Sequence, residues 1–305
     1  MKGLFLWLVV LALSIVIYRH VASSYQSENS LFNKVVLVCD ASSGIGEELA
    51  YELAKQGAQM LLVTRTGRSE SLLNTLKDGK LGSPQAQLQI SAHTWQMLLK
   101  VKDKALSLGS PRVELMSFDF GNVTGAHFIV DKTIELFGKL DYLVMNHAEI
   151  PRGSILKVHQ HQNVDYIDRT FRVNVFSFIE IVMRAMPHLE QSQGHLFVTS
   201  STLGEVPAAQ FPVFAATKHA LNGFFYSLQK ELIESDSPVT LTVGNLGEVR
   251  TKTRMPLFKL PKWLTGDQSE CAQGIKDSLI SRTRTFTFPK IHPYFVKSLW
   301  YFFSK

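Results

Sequence analysis

The sequence has few of the residues that build disulfide frameworks or metal centres. Two cysteines, Cys39 and Cys271, occur in 305 residues, and neither has further metal-ligating residues at suitable spacing. A disulfide framework is therefore not expected, and both cysteines are interpreted as packing residues. His159, His161 and Asp165 are interpreted as part of a polar loop that enters a helix, so no metal site is predicted.

The chain also has no concentrated basic region. Lysines and arginines number 32 against 26 acidic residues, a net charge of +6, but they are scattered and form no recognisable nucleic-acid module. A nucleic-acid partner is therefore not expected. The positive excess favours anionic ligands or a membrane surface.

An apolar run near the amino end, Gly3 to Tyr18, is the candidate membrane segment. It is short for a spanning helix but can cross a bilayer if its flanking residues reach the interface. A cleaved signal peptide is the alternative. Because no clear small-x-small cleavage site follows, residues 1–22 are predicted to form a single-pass anchor in the endoplasmic reticulum membrane, with secretion after cleavage as the alternative.

Short apolar runs alternate with helical patterns along the rest of the chain, as is typical of a doubly wound parallel sheet. One α/β domain is therefore predicted over residues 33–285. Residues 286–305, rich in aromatic and basic side chains, are predicted to contact a membrane or a second subunit. The strand candidates are Val35–Val38, Met60–Thr64, Val113–Phe118, Tyr142–Met145, His195–Thr199 and Thr240–Val243.

The connection between the second and third strand candidates is unusually long and contains a repeat. The tetrapeptide LGSP occurs at residues 81–84 and again at residues 108–111, which is 27 positions later. Two copies are too few for a solenoid. The segment 66–110 is therefore interpreted as a crossover helix and turn enlarged by a tandem duplication.

The turn after the first strand is typical of a phosphate-binding site. Ser43, Gly44 and Gly46 lie between a strand and a helix, where glycines let the backbone approach an anion and the free N–H groups of the helix bind it. Arg65 ends the second strand, where the adenosine ribose of a dinucleotide would lie. A basic residue there favours NADP over NAD.

A second set of polar residues is centred on the fifth strand candidate. Ser201 follows it, Lys218 lies on the next helix, and between them stands Phe214. A hydroxyl and an ammonium beside a strand end could bind and polarise a carbonyl group. The phenyl ring stands where such a site needs a proton donor.

Taken together, ASSGIG, Arg65, Asp119, the strand ending at Asn146, Asn174, Ser201 and Lys218 resemble the short-chain dehydrogenase/reductase family. The stretches LDYLVMNHA and KHALNGFF are most similar to the group of 11-beta-hydroxysteroid dehydrogenase type 1. The resemblance implies reversible NADP(H)-linked hydride transfer between an alcohol and a ketone on a steroid-like lipid. It also implies a homodimer formed through the helices that carry Asn174 and Phe214.

The resemblance also assigns roles to individual residues. Ser201 would polarise the carbonyl, Asn174 would hold a water of the proton relay, and Lys218 would bind the nicotinamide ribose. The proton-donating tyrosine of the family is replaced by Phe214. Cofactor-binding residues implied by the resemblance are Asp40, Ser42, Ser43, Gly44, Ile45, Gly46, Arg65, Asp119, Asn146, Lys218, Val249 and Thr251.

Two departures from the family pattern affect the expected activity. Phe214 has no proton to donate, and Asp40 replaces the first family glycine, which adds a negative charge beside the phosphates. NADP(H) binding is therefore expected to be weakened. Two functions stay open: an oxidoreductase that uses another proton source, and an inactive family member that binds NADP(H), a lipid or a protein partner.

Overall fold

The computed structural model describes residues 30–65, 84–151, 164–252 and 264–289, with the backbone alone for 84–91 and 164. The predicted anchor, residues 1–22, and most of the segment 286–305 lie outside these ranges. Within them, no helix is long and apolar enough to cross a membrane.

A seven-stranded parallel sheet forms the centre of the fold, in the order β3-β2-β1-β4-β5-β6-β9. The six strands predicted from the sequence are all present, and the order reverses direction between β1 and β4, as in a doubly wound fold. The strands are β1 Val35–Cys39, β2 Gln59–Arg65, β3 Val113–Phe118, β4 Tyr142–Met145, β5 His195–Ser201, β6 Thr240–Leu246 and β9 Thr285–Phe288. Two short strands, β7 Val249–Arg250 and β8 Gly266–Asp267, pair separately.

Helices cover both faces of the sheet. They are α1 Gly44–Lys55, α2 Pro84–Ser107, α3 Phe128–Phe137, α4 Val164–Phe171, α5 Ser177–Ser192, α6 Pro212–Glu234 and α7 Gln268–Ser281, with a π-helical turn, Arg172–Phe176, between α4 and α5. Helices α1, α2 and α7 contribute to one core cluster, and α3, α5 and α6 contribute to the other.

Strand β1 shows why an apolar run of this kind predicts a strand in a doubly wound sheet. Its residues are all buried, because alternate side chains enter opposite layers. Val36 and Val38 pack in the first core, whereas Leu37 and Cys39 pack in the second. Both cysteines are buried and unbonded, which confirms that they are packing residues.

The long connection between β2 and β3 contains one described helix, α2. The first LGSP ends at Pro84, which begins α2, and the second follows its last residue, Ser107. The helix therefore spans the interval between the two copies. The predicted duplication stays a prediction, because residues 66–83 lie outside the described ranges.

The carboxyl boundary predicted for the domain needs a correction. Residues Phe286–Phe288, which were placed in the membrane or dimer segment, lie in β9, and this strand pairs with β6. Phe286 stacks on Phe288, and both pack against the first core cluster. The sheet therefore continues past residue 285.

Candidate active site

A cleft of about 200 Å³ opens at the carboxyl ends of the parallel strands. This is the edge where ligands bind in doubly wound folds, close to the reversal of strand order between β1 and β4. Residues from both predicted sets line it together, so the structure joins the phosphate turn to the serine and lysine. The lining residues are Asp40, Ser43, Gly44, Ile45, Arg65, Asn146, Ala148, Ile150, Thr199, Ser200, Ser201, Phe214, Lys218, Leu246, Gly247, Val249 and Thr251.

The turn after β1 has the backbone of a phosphate-binding loop. Gly44 and Asp40 both have positive φ angles, 61° and 65°, and aspartate is among the few side chains that adopt this conformation readily. Asp40 therefore replaces a glycine without breaking the turn. Gly46 has a packing role, since a Cβ atom there would lie 2.1 Å from the Asp40 carbonyl oxygen.

Two hydroxyl groups in the cleft have no partner among the described residues. Ser43 occupies the N-cap of α1, but its side chain makes no capping hydrogen bond. The Oγ1 atom of Thr251 is buried without a hydrogen-bond partner. Buried polar atoms are normally satisfied, so a ligand with polar groups at both places fits the cleft.

Arg65 crosses the phosphate end of the cleft. Its Nε lies 3.3 Å from the Asp40 carboxylate, and its Nη1 donates a 2.7 Å hydrogen bond to the Ala148 carbonyl oxygen. The guanidinium thus reaches from the end of β2, past β1, to the segment after β4. The Asp40 carboxylate was expected to repel the phosphates. In the structure it pairs with Arg65, the residue expected to bind a phosphate.

Lys218 lies at the bottom of the cleft and is 1% exposed. Its Nζ donates a 2.8 Å hydrogen bond to the Thr199 carbonyl oxygen and lies 5.6 Å from the ring centre of Phe214 and 5.7 Å from that of Phe178. No carboxylate of the described residues pairs with it. Burial therefore lowers the pKa of Lys218 to about 7.

Ser201 provides the hydroxyl of the site. It has an extended backbone, and its Oγ accepts a hydrogen bond from the Leu203 N–H at 3.1 Å. Among the described residues its own proton has no acceptor, so it can donate to a ligand carbonyl.

Phe214 forms an apolar wall. The buried ring packs in a small cluster with Leu203, Phe211 and Ala215. It carries no dissociable proton, and no tyrosine is among the described residues that line the cleft. The Tyr226 hydroxyl, further along α6, accepts a 2.8 Å hydrogen bond from Asn245 Nδ2.

Asn174 is buried beside the cleft and does not line it. Its Oδ1 accepts the Glu149 N–H at 2.7 Å and its Nδ2 donates to the Glu149 carbonyl at 2.7 Å. A further bond runs to Thr217 on α6 at 3.2 Å. The amide therefore fixes the segment after β4 against the π-helical turn and α6, and does not contact the ligand space.

Three other predicted cofactor residues, Ser42, Gly46 and Asp119, do not line the cleft. Ser42 is buried in the turn after β1, and Gly46 is buried in the first turn of α1. Asp119 forms an ion pair with Arg169 at 3.0 Å, and Arg169 also pairs with Glu149 at 3.0 Å. The carboxylate of Asp119 is thus tied to α4 at the rim and separated from the ligand space.

A buried histidine that was not predicted from the sequence, His147, lies next to the site. The His147 ring stacks on Phe120, with ring centres 3.8 Å apart, and its Nε2 lies 2.8 Å from Ser177 Oγ. Burial, and then the positive charges of Lys218 and Arg65, hold the pKa of His147 well below its usual value. The ring is therefore neutral and adds no positive charge beneath the lysine.

Other residues lining the cleft were also not predicted. Thr199 supplies the carbonyl that orients Lys218, and Ser200 donates to Asn222 Oδ1 at 2.5 Å, fixing the end of β5. The sequence feature that could have indicated both residues is their position at the end of a buried strand, next to Ser201. The remaining additions are Ala148, Ile150, Leu246 and Gly247.

Comparison with known proteins agrees with this geometry. A family model described as short chain dehydrogenase matches residues 79–261. Among curated relatives, the hydroxysteroid 11-beta-dehydrogenase 1-like protein of Danio rerio is 33% identical over 233 residues, covering 76% of this chain and 70% of the relative. The protein of the same name from Xenopus tropicalis is 31% identical over 274 residues, covering 90% and 83%.

A solved structure shares the fold. The short chain dehydrogenase from Burkholderia cenocepacia J2315, crystallised in complex with NADP, superposes with a TM-score of 0.66 at 24% identity, covering 84% of this chain and 96% of that one. With the glycine turn, Ser201 and Lys218 at one sheet edge, these matches show that the chain belongs to the short-chain dehydrogenase/reductase family, within the group of hydroxysteroid 11-beta-dehydrogenase 1-like proteins.

Proposed function

We propose that the protein binds NADP(H) in the cleft and interconverts a ketone and a secondary alcohol on an apolar, steroid-like lipid. The observation that carries the proposal is the meeting of Ser201 and Lys218 with the glycine turn in one cleft. When bound, the dinucleotide supplies or accepts the hydride. The names of the related proteins support a steroid-like substrate, and the apolar wall around Phe214 fits one.

Several residues of the cleft suit the dinucleotide. The unbonded Ser43 hydroxyl and the N-terminus of α1 suit a diphosphate, while Val249 and Thr251 would meet the nicotinamide end. Arg65 would pair with the 2′-phosphate, which favours NADP(H). To do so it has to leave Asp40, so binding is expected to be weaker than in a site with a glycine at residue 40.

The proton for carbonyl reduction is proposed to come from Lys218 through a water molecule. Ser201 can donate a hydrogen bond to the carbonyl oxygen, which polarises the carbonyl. Because the pKa of Lys218 is about 7, its ammonium is a suitable general acid near neutral pH. A phenolic acid positioned by its own helix would be more effective, and turnover is expected to be slow.

An inactive binding protein is the second candidate function. It is favoured by the buried phenyl ring of Phe214 and by the Asp40–Arg65 pair across the cleft. In that case the cleft would hold NADP(H), a lipid or a protein segment without chemistry.

The membrane and the oligomeric state are part of the same proposal. An anchor in residues 1–22 would hold the domain at the endoplasmic reticulum membrane, where apolar substrates accumulate. A homodimer through α5 and α6 would cover apolar side chains. On α3, the π-helical turn and α5, Phe128, Phe176 and Met183 are 57%, 46% and 65% exposed.

NADPH titration, followed by turnover with a panel of ketosteroids, tests the proposal. Phe214→Tyr is expected to raise the rate of ketosteroid reduction by about 10²–10⁴-fold, the usual contribution of a positioned acid. Lys218→Met in the Phe214→Tyr background should abolish the gain. Measured NADPH binding without any gain from Phe214→Tyr would contradict a ketone pocket beside residue 214. Absence of turnover in the unmodified protein, with a gain in the variant, would favour the binding function.

A further inference from the structure

We propose that Lys218 captures apolar aldehydes covalently, as an imine, when no dinucleotide fills the cleft. This activity requires no hydride transfer and does not depend on the reductase proposal. It gives Lys218 a chemical role that does not require a tyrosine at residue 214.

The surroundings of Nζ are those of a nucleophilic lysine. The amine lies in the lining of the cleft, between the rings of Phe178 and Phe214, with a backbone carbonyl as its hydrogen-bond acceptor. No carboxylate of the described part of the chain stabilises the ammonium form. Desolvated lysines of this kind form imines with carbonyl compounds.

Burial makes the free amine available at neutral pH. With the pKa of Lys218 at about 7, about half of the side chains are unprotonated at pH 7, whereas an ordinary exposed lysine with a pKa of about 10.4 is almost fully protonated. The nearest titratable ring, His147, is neutral, so it does not alter this balance by its own charge.

The wall of the cleft selects the aldehyde. Phe214 packs with Leu203, Phe211 and Ala215, and the partly buried Ile150 lies against the same cluster. An alkyl chain can lie against this surface. Ser201 lines the same cleft and has a proton to donate to the carbonyl oxygen of a bound aldehyde.

The chemistry balances without an oxidant or reductant. The Nζ lone pair attacks the aldehyde carbon, a C–N bond forms as the C=O π bond breaks, and a proton passes from nitrogen to oxygen to give a neutral carbinolamine. A proton from solvent then lets the hydroxyl leave as water while the nitrogen lone pair forms the C=N bond, so each protonated imine takes up one proton and releases one water. The protonated imine keeps one N–H, which can donate to the Thr199 carbonyl as the ammonium does.

Reductive trapping tests the proposal. The full-length protein is incubated at pH 7 with nonanal and sodium cyanoborohydride, which reduces an imine to a stable amine, and labelled peptides are quantified by mass spectrometry. Lys230, which lies near the exposed end of α6 and whose side chain is 77% exposed, is the internal reference. Labelling of Lys218 is expected to be at least about tenfold faster than that of Lys230, because more of it is in the free amine form.

Controls separate the site from general lysine chemistry. Lys230→Arg should leave the labelling of Lys218 unchanged, and Lys218→Arg should remove the fast phase. The preference should vanish in urea-unfolded protein, a measurement that needs no variant. Glyceraldehyde, which is polar, should label Lys218 no faster than Lys230. Equal labelling of both lysines by nonanal in the folded protein, or a fast reaction of Lys218 with glyceraldehyde, would overturn the proposal.

Discussion

Asp40→Asn is expected to tighten NADPH binding, since Asp40 pairs with Arg65, the residue proposed to bind the 2′-phosphate. Asparagine has the same shape and tolerates the positive φ angle of residue 40, so the turn should survive. The substitution removes the charge that pairs with Arg65 at 3.3 Å. It leaves the hydrogen bond from Arg65 to the Ala148 carbonyl available.

The magnitude follows from the exposure of the pair. Two charges 3.3 Å apart attract by about 5 kcal/mol at an effective dielectric constant of 20. The Arg65 and Asp40 side chains are 28% and 20% exposed, and pairs in contact with solvent contribute about 1 kcal/mol or less net. Removing a negative charge near the phosphates adds a similar amount. A total of about 1–2 kcal/mol corresponds to roughly 5- to 30-fold tighter binding.

Calorimetric titration with NADPH and with NADH, at one ionic strength, separates the two contributions. If Asp40 acts by holding Arg65, the gain should be larger for NADPH, which carries the 2′-phosphate. Glu47→Gln is the matched control, because Glu47 is an acidic residue in the first turn of α1 that bonds to Tyr51 instead of Arg65. Unchanged or weaker NADPH binding in Asp40→Asn would refute the reasoning, and an equal gain for both dinucleotides would refute the role of Arg65.

Two further predictions concern stability and assembly. Lys218→Met should stabilise the protein at pH 7 by roughly 1–4 kcal/mol in urea unfolding, because it removes a buried charge. The pKa of Lys218 is about 7 in the folded protein, whereas that of a free lysine side chain is about 10.5. Between these values the unfolded chain binds more protons, so the unmodified protein should gain stability as pH rises through this window; a pH-independent difference from Lys218→Met would contradict the assignment. Met183→Glu should shift a dimer toward monomer in sedimentation velocity, while Lys100→Glu on the exposed side of α2, in the other helix layer, should not, and identical behaviour of both would argue against α5 as the interface.

Most strands could be predicted because they are short runs rich in apolar residues, as in β1 and β4, and burial on both faces favours such runs. Strand β9 could not, since Thr285–Phe288 alternates polar and aromatic residues and becomes a strand through its pairing with β6. The same aromatic residues, followed by basic ones, suggested a membrane or dimer segment. Local pattern alone does not distinguish these environments.

The residues that line the site were easier to predict than the residues with which they form pairs. Ser201, Phe214 and Lys218 follow from spacing along the chain, and the structure brings them into one cleft. The Asp40–Arg65 pair depends on the parallel register of β1 and β2, in which Cys39 lies opposite Val63. This register brings the residues that follow, Asp40 and Arg65, to the same edge of the sheet. Asp119 was assigned to the cofactor from the family resemblance, and its pairing with Arg169, 50 residues later, is a tertiary contact that the sequence pattern does not show.

The position of α2 between the two LGSP copies has an evolutionary consequence. Strands β2 and β3 are parallel neighbours, and the sheet does not fix the length of the connection between two such strands. Doubling a flexible connection costs only about 0.6 kcal/mol in closure entropy. A copying event in the gene at this place could therefore lengthen the protein without disturbing the register of any strand.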